Sequence, residues 1–234
     1  NYNVAVGFHA GNDVTTGTQN VIIGGLAGDA MTTPNNNVAV GFQALSNDTT
    51  GQSNVGVGYN ALATQNRTDS TSQFNVGVGA SAGEQITSGT QNTLIGGLAG
   101  DELTASDFNV AVGYSALSTD TLGARNVAVG HEALASQNFT TATTSYNTAV
   151  GMQSGRLLTT GIQNVFLGAL AGDEHTDADN NVSVGYAALS SDTLGSQTTA
   201  VGSGALHNQN FTTATNTHNV AVGYHSGLNV TTGT

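Results

Sequence analysis

A fixed repeat interval runs through this chain, and it restricts the fold more tightly than composition can. Asn-Val-(Ala/Gly)-Val-Gly, or a close variant, begins at Asn3, Asn20, Asn37, Asn54, Asn75, Asn92, Asn109, Asn126, Asn147, Asn164, Asn181, Thr198 and Asn219. The spacings run 17, 17, 17, 21 and then start again, so a 72-residue unit lies over the short one: 3–74, 75–146, 147–218 and a partial 219–234. A short period with one strand-like segment predicts a solenoid in which each repeat is a rung touching its neighbours. Residues 1–234 therefore read as one elongated all-β domain, a parallel β-solenoid or β-roll with about one 17-residue rung per repeat. At about 4.8 Å per rung, the thirteen copies predict a rod on the order of 60 Å long. The chain opens late in one repeat and stops inside another, which is expected of a stretch of a longer fibre.

The apolar residues keep a strict register. Val4, Val21, Val38, Val55 and their equivalents follow the Asn, and Val6, Ile23, Val40, Val57 and theirs come two positions later, before a Gly present in every copy. Alternating β-branched residues ended by Gly predict a strand with these residues turned to the core. The recurrent Asn is open to two readings, a stacked amide column or an Asx-turn residue. Ala10, Ala27, Ala44 and their equivalents, three residues after the Gly, read as a second short strand, and Gly17, Gly51, Gly89 and others mark a return turn.

The position between the two aliphatics is small and apolar, not polar: Ala5, Ala39, Ala111, Ala128 and Ala221, with a large residue once per 72-residue unit at Ile22, Leu94 and Phe166. A strand apolar on both faces is buried on both. These eight residues are therefore expected to face a partner, with another copy of the chain the economical candidate. Small side chains suit a parallel homotrimer around one axis.

These NVAVG(F/Y)xAL…TTG repeats resemble the YadA-type head repeats of trimeric autotransporter adhesins. They resemble still more the 17-residue repeats of bacteriophage and bacterial tail-fibre-type proteins, and the resemblance covers the whole chain. It implies trimers of left-handed parallel β-rolls that attach to host surfaces. The YadA-type rung is usually shorter than the common rung of this chain, and every fourth rung here is longer still.

Charge narrows the function. There is no Lys, only Arg67, Arg125 and Arg156 are basic besides His, and the net charge is −12. That balance repels phosphate backbones and anionic membrane surfaces. No apolar run approaches a membrane span, and with no Cys there is neither a disulfide framework nor a thiolate site. Loose GxGxxG/A matches at Gly56 and Gly77 open no helix of a βαβ unit. The six His share no ligand spacing, and no Ser-His-Asp arrangement interrupts the repeat. We expect no enzyme, no cofactor and no resident metal.

Two groups of residues remain. Asp29, Asp101 and Asp173, with Asp48, Asp120 and Asp192 on the following rungs, could offer carboxylates to a hard cation such as Ca²⁺; solvated turn residues are the better account. The lengthened rungs are expected to emerge as loops on one face. Each carries Asn-x-Thr, at Asn66, Asn138 and Asn210, a candidate receptor contact or glycan acceptor, against the plainer reading of a Thr-rich loop. Aromatics after the strand-ending Gly, such as Phe42 and Tyr59, could meet sugars, with packing the safer reading. The expected function is a structural segment of an extracellular, cell-surface or virion fibre or adhesin with multivalent display. The alternatives are an ice-binding solenoid, for which Thr looks scattered among the turns, and a polysaccharide-acting β-helix enzyme.

Overall fold

The computed structural model describes residues 2–233, which divide into two compact units, one running to Tyr114 and one from Ser115. The described residues contain no helix. In the first unit, β1 (Val4–Val6), β2 (Val21–Ile23), β3 (Val38–Val40), β4 (Val55–Val57), β5 (Val76–Val78), β6 (Thr93–Ile95) and β7 (Val110–Val112) pair in sequence order, all parallel. The register steps by one sequence repeat each time, from Val4 to Val21 on a common rung and from Val55 to Val76 on a lengthened one. The second unit repeats this with β9 (Val127–Val129), β11 (Thr148–Val150), β12 (Val165–Leu167), β13 (Val182–Val184), β15 (Thr199–Val201) and β17 (Val220–Val222). Two short parallel pairs accompany it, β8 (Gly123–Ala124) with β10 (Thr143–Thr144) and β14 (Gly195–Ser196) with β16 (Thr215–Asn216). Each unit is a parallel β-solenoid whose rung is the sequence repeat.

The inside and outside of the strand are the reverse of the sequence reading. In β3 the middle Ala39 is fully buried and Val38 and Val40 are half-exposed, and the pattern recurs along the sheet. Ile22, Ala39, Leu94, Ala111, Ala128, Phe166 and Ala221, expected at a partner, thus line the interior, while Ala5 is exposed in the first rung. Apolarity on both faces could not decide the parity; volume does. Where the interior position is small, as at Ala39 and Gly56, Leu45 and Leu62 fill the roll from the turn that follows. Where it is large, the turn carries Gly instead. A Cβ on Gly83 would stand 2.7 Å from Leu94 Cδ1 and one on Gly100 2.8 Å from its Cδ2, and Phe166 likewise occupies the space left by Gly155 and Gly172. One large side chain fills what two glycines vacate, as close-packed interiors require.

No second strand forms at the Ala10-type positions. The chain turns there, with left-handed residues on either side, such as Gln43 (φ 55°) and Leu45 (φ 51°). Backbone bonds still run from rung to rung, as from the N–H of Leu45 to the carbonyl of Ala61 at 3.0 Å. The strand-ending glycine is obligatory for two reasons. Gly41 has φ 136°, a region closed to other residues, and a Cβ there would collide with the carbonyl of Gly58.

Of the two readings of the recurrent Asn, the bonds formed are those of the column, which ties rungs together and also reaches the turn backbone. The Oδ1 of Asn75 accepts the backbone N–H of Asn92 at 2.9 Å, tying one rung to the next, while its Nδ2 donates to the carbonyl of Gly89 at 2.7 Å, closing its own rung. The same pair of bonds recurs at Asn20, Asn37, Asn147, Asn164 and Asn181, all fully buried.

Candidate functional site

Three surfaces and one buried system compete for a functional role. The lengthened rungs come first, because the sequence pointed to them. Their exposed tips are short, at 68–72, 140–142 and 212–214, and their roots are anchored inside. Gln65, Gln137 and Gln209 are fully buried and donate to Asp48, Asp120 and Asp192 of the rung before, at 2.9, 2.6 and 2.7 Å. Each Gln Oε1 in turn accepts from the Asn ten residues on, Asn75, Asn147 or Asn219. Asp120 Oδ1 also accepts the N–H groups of Gly123 and Phe139, both at 3.0 Å, and Asp192 holds Gly195 and Phe211 in the same way. In a 17-residue rung, N–H groups at this corner reach a carbonyl of the next rung, as Gly89 does to Thr104. Where the next rung is lengthened the carboxylate takes over that task.

These three Asp are therefore buried structural groups and not solvated turn residues. Burial pushes the Asp48 carboxyl up to about 6 against the bonds from Gln65, Gly51 and Asn54, and it pushes Asp120 up as well. A Cβ at Gly51 would collide with the Asp48 carboxylate, which explains that glycine. Asp29, Asp101 and Asp173 sit half-exposed at a different corner. Burial and neighbouring acids push Asp101 up to about 6, and burial with Glu174 does the same for Asp173. Among the described residues no three His, Asp or Glu side chains gather where they could hold a metal ion.

Asn66 is exposed, and Asn138 and Asn210 are half-buried. Their Oδ1 atoms accept from Thr49, Thr121 and Thr193 at 2.9, 3.2 and 3.1 Å. The Thr residues are not scattered, as the sequence suggested. Thr15 and Thr32 each donate to the carbonyl of the next Thr in line, Thr32 and Thr49, both at 3.0 Å, and Thr49 ends the series on Asn66. Thr159, Thr176, Thr193 and Asn210 repeat it. The residue between Asn and Thr differs: Phe139 and Phe211 fold into the interior, whereas Arg67 pairs with Asp69 at 2.6 Å across an exposed tip. Arg67 and Thr71 hold the Asp69 carboxyl down at about 2.

The third surface was not anticipated. The outer residues of every strand form two columns on the outer face of each sheet, Val4 to Val110 with Thr93 among the aliphatics, and Val6 to Val112, aliphatic throughout, in the first unit. They are flanked by exposed aromatics, Phe74 and Phe108 before the Asn, and Phe42, Tyr59 and Tyr114 after the Gly. None of the fifteen Asp and Glu residues falls in these columns or in the two flanking positions; Arg125 is the one Arg that does. The chain matches no protein-family model, no curated protein and no solved structure. Among the described residues no helix is long and apolar enough to cross a membrane.

Proposed function

We propose that the chain is a self-associating structural segment of an extracellular or virion fibre, displaying its loops for attachment, and that it has no catalytic role. The observation that carries this is the outer sheet face, apolar and free of acids in a protein of net charge −12. Seven rungs at about 4.8 Å and a width of about 20 Å give the first unit a face on the order of 650 Å². That approaches the roughly 800 Å² each partner contributes to a stable interface. The occupant proposed is a second and third copy of the chain, in parallel. A flat uncharged face with the same period in each copy is self-complementary, and a face carrying no carboxylates is the one on which copies of an acidic protein can meet.

The interface residues are the outer aliphatics, not the interior Ala and Ile first expected. Val57→Glu should leave circular dichroism unchanged and reduce the species seen by sedimentation equilibrium from trimer to monomer. Ala111→Glu should unfold the chain, because Ala111 has no exposed surface. A monomeric wild-type protein at tens of micromolar, or a Val57→Glu protein that still assembles, would defeat the reading.

The Thr ladder supports a second reading, an ice-binding solenoid. It is one column wide, its hydroxyl protons are turned along the ladder, and Asn interrupts it every fourth rung. Thermal hysteresis measured on the wild-type chain separates the two.

A further inference from the structure

We infer that the third lengthened rung carries an acid-operated release for its loop, built on a buried histidine that the first two lack. The interior column that leads into each Asp–Gln pair runs Met31, Asp48, Gln65, then Leu103, Asp120, Gln137, and then His175, Asp192, Gln209. Met31 and Leu103 are fully buried, and so is His175. An imidazole thus stands where the sister rungs have a side chain that cannot titrate. Neither of its ring nitrogens has a hydrogen-bond partner, and both are shut off from solvent. Phe166 lies on one side, with the ring centroids 5.3 Å apart. On the other is the rung of Asp192, joined to it by the N–H of Thr176 and the carbonyl of Thr193 at 2.9 Å.

The charged groups around this ring leave it one partner. On its own rung Asp173 and Asp179 are half-exposed and Glu174 and Asp177 exposed, and on the rung before Arg156 is half-exposed. On the rung after, Tyr186 stands on the outer face and Asp192 is buried. That carboxylate is the anchor of the loop: Oδ1 accepts the N–H groups of Gly195 and Phe211, and Oδ2 accepts Nε2 of Gln209. A buried ring that takes a charge must find water or a counter-charge. Water enters only if the rung opens, and pairing draws Asp192 away from the donors it holds. Either way the root of the exposed tip at 212–214 comes loose. Burial holds the imidazole well below the ordinary histidine range and outweighs Asp192 and the Gly172 carbonyl, which pull the other way. An opened rung takes the proton at about 6.5 and a closed one only lower, so opening gains as pH falls through that window. At the first two lengthened rungs the same fall protonates Asp48 and Asp120, whose burial favours the protonated form, and it works toward closure. This release does not depend on the fibre reading, since every residue named belongs to one chain.

Amide hydrogen exchange on the whole chain tests it, with protection at each pH taken relative to the unstructured peptide. Between about pH 7 and about pH 4.5 protection of the Gly195 and Phe211 amides should fall about 50-fold. The Gly123 and Phe139 amides, held in the same way by Asp120 behind Leu103, should lose none. His175→Leu and His175→Met copy the sister residues Leu103 and Met31, and each should abolish the difference between the two pairs. In NMR the His175 ring of the wild-type chain should titrate below the ordinary histidine range. Equal loss of protection at Phe139 and Phe211, a loss at Phe211 that persists in both variants, or a ring that titrates at the ordinary value with Phe211 protection unchanged would each overturn the assignment.

Discussion

Asn164 makes three bonds that no other residue type of its size can make together. Its N–H donates to Asn147 Oδ1, its Oδ1 accepts from the N–H of Asn181, and its Nδ2 donates to the carbonyl of Ala178, all between 2.7 and 2.9 Å. Asn164→Ala would leave the Asn181 N–H and the Ala178 carbonyl without these partners. At about 1–3 kcal/mol for each buried group stripped of its bond, the loss should total about 3–5 kcal/mol, read as a lower urea midpoint. Asp48 gives a prediction of opposite character. Its folded value of about 6 lies above the ordinary 3.8, so the folded chain binds a proton there that the unfolded chain has already released. Its contribution is complete below about pH 4 and is lost as pH rises to about 6, by up to about 3 kcal/mol. Carboxyl carbon NMR should show Asp48 titrating near pH 6, and a midpoint near 4 would mean that it is not buried. His175 acts the other way in the second unit. Burial holds it neutral beside Phe166, so that unit loses stability as pH falls below the ordinary range of His.

At the scale of the rung, the buried Asp and Gln decide where a lengthened turn can sit. Excising Thr140–Thr143 returns that rung to the common length, which on length alone should be harmless. It should not be, because Asp120 would keep a buried carboxylate while the Phe139 N–H that it accepts is displaced. The excision alone should destabilise by about 3–5 kcal/mol, the usual consequence of a buried charge losing its partners. Combined with Asp120→Leu and Gln137→Leu, which continue the apolar positions held by Leu103 and Leu158, most of that loss should be recovered; thermal unfolding of the two variants compares them. The period, the closing Gly and the Asn column could all be read from the sequence, because each repeats at one register. So could the Asp–Gln relation, Asp48 to Gln65, Asp120 to Gln137 and Asp192 to Gln209, always one rung apart and always ahead of a lengthened turn. The facing of the strand could not be read from Val4 and Ala5 alone, since both are apolar. It lay instead in the turn column, where Gly and Leu exchange in step with the size of Ile22, Leu94 and Phe166.

At the scale of the molecule, acidity and apolarity occupy different surfaces, which governs how copies should meet. The association proposed for the outer aliphatic face would work against the repulsion between chains of net charge −12. Screening that repulsion should strengthen assembly between about 0.05 and 0.5 M salt, whereas an interface held by ion pairs would weaken; sedimentation at the two salt concentrations distinguishes them. The Asp–Gln pairing also bears on how such a chain can change by inheritance. Recombination between copies that adds or removes one whole long repeat joins every Asp to a Gln on the following rung and renews the same contacts at the seam. An exchange that drops the Gln-bearing rung alone strands the carboxylate of the rung before it in the interior. Selection should therefore tolerate gain or loss of length in steps of four rungs and discard chains that have lost a Gln-bearing rung alone.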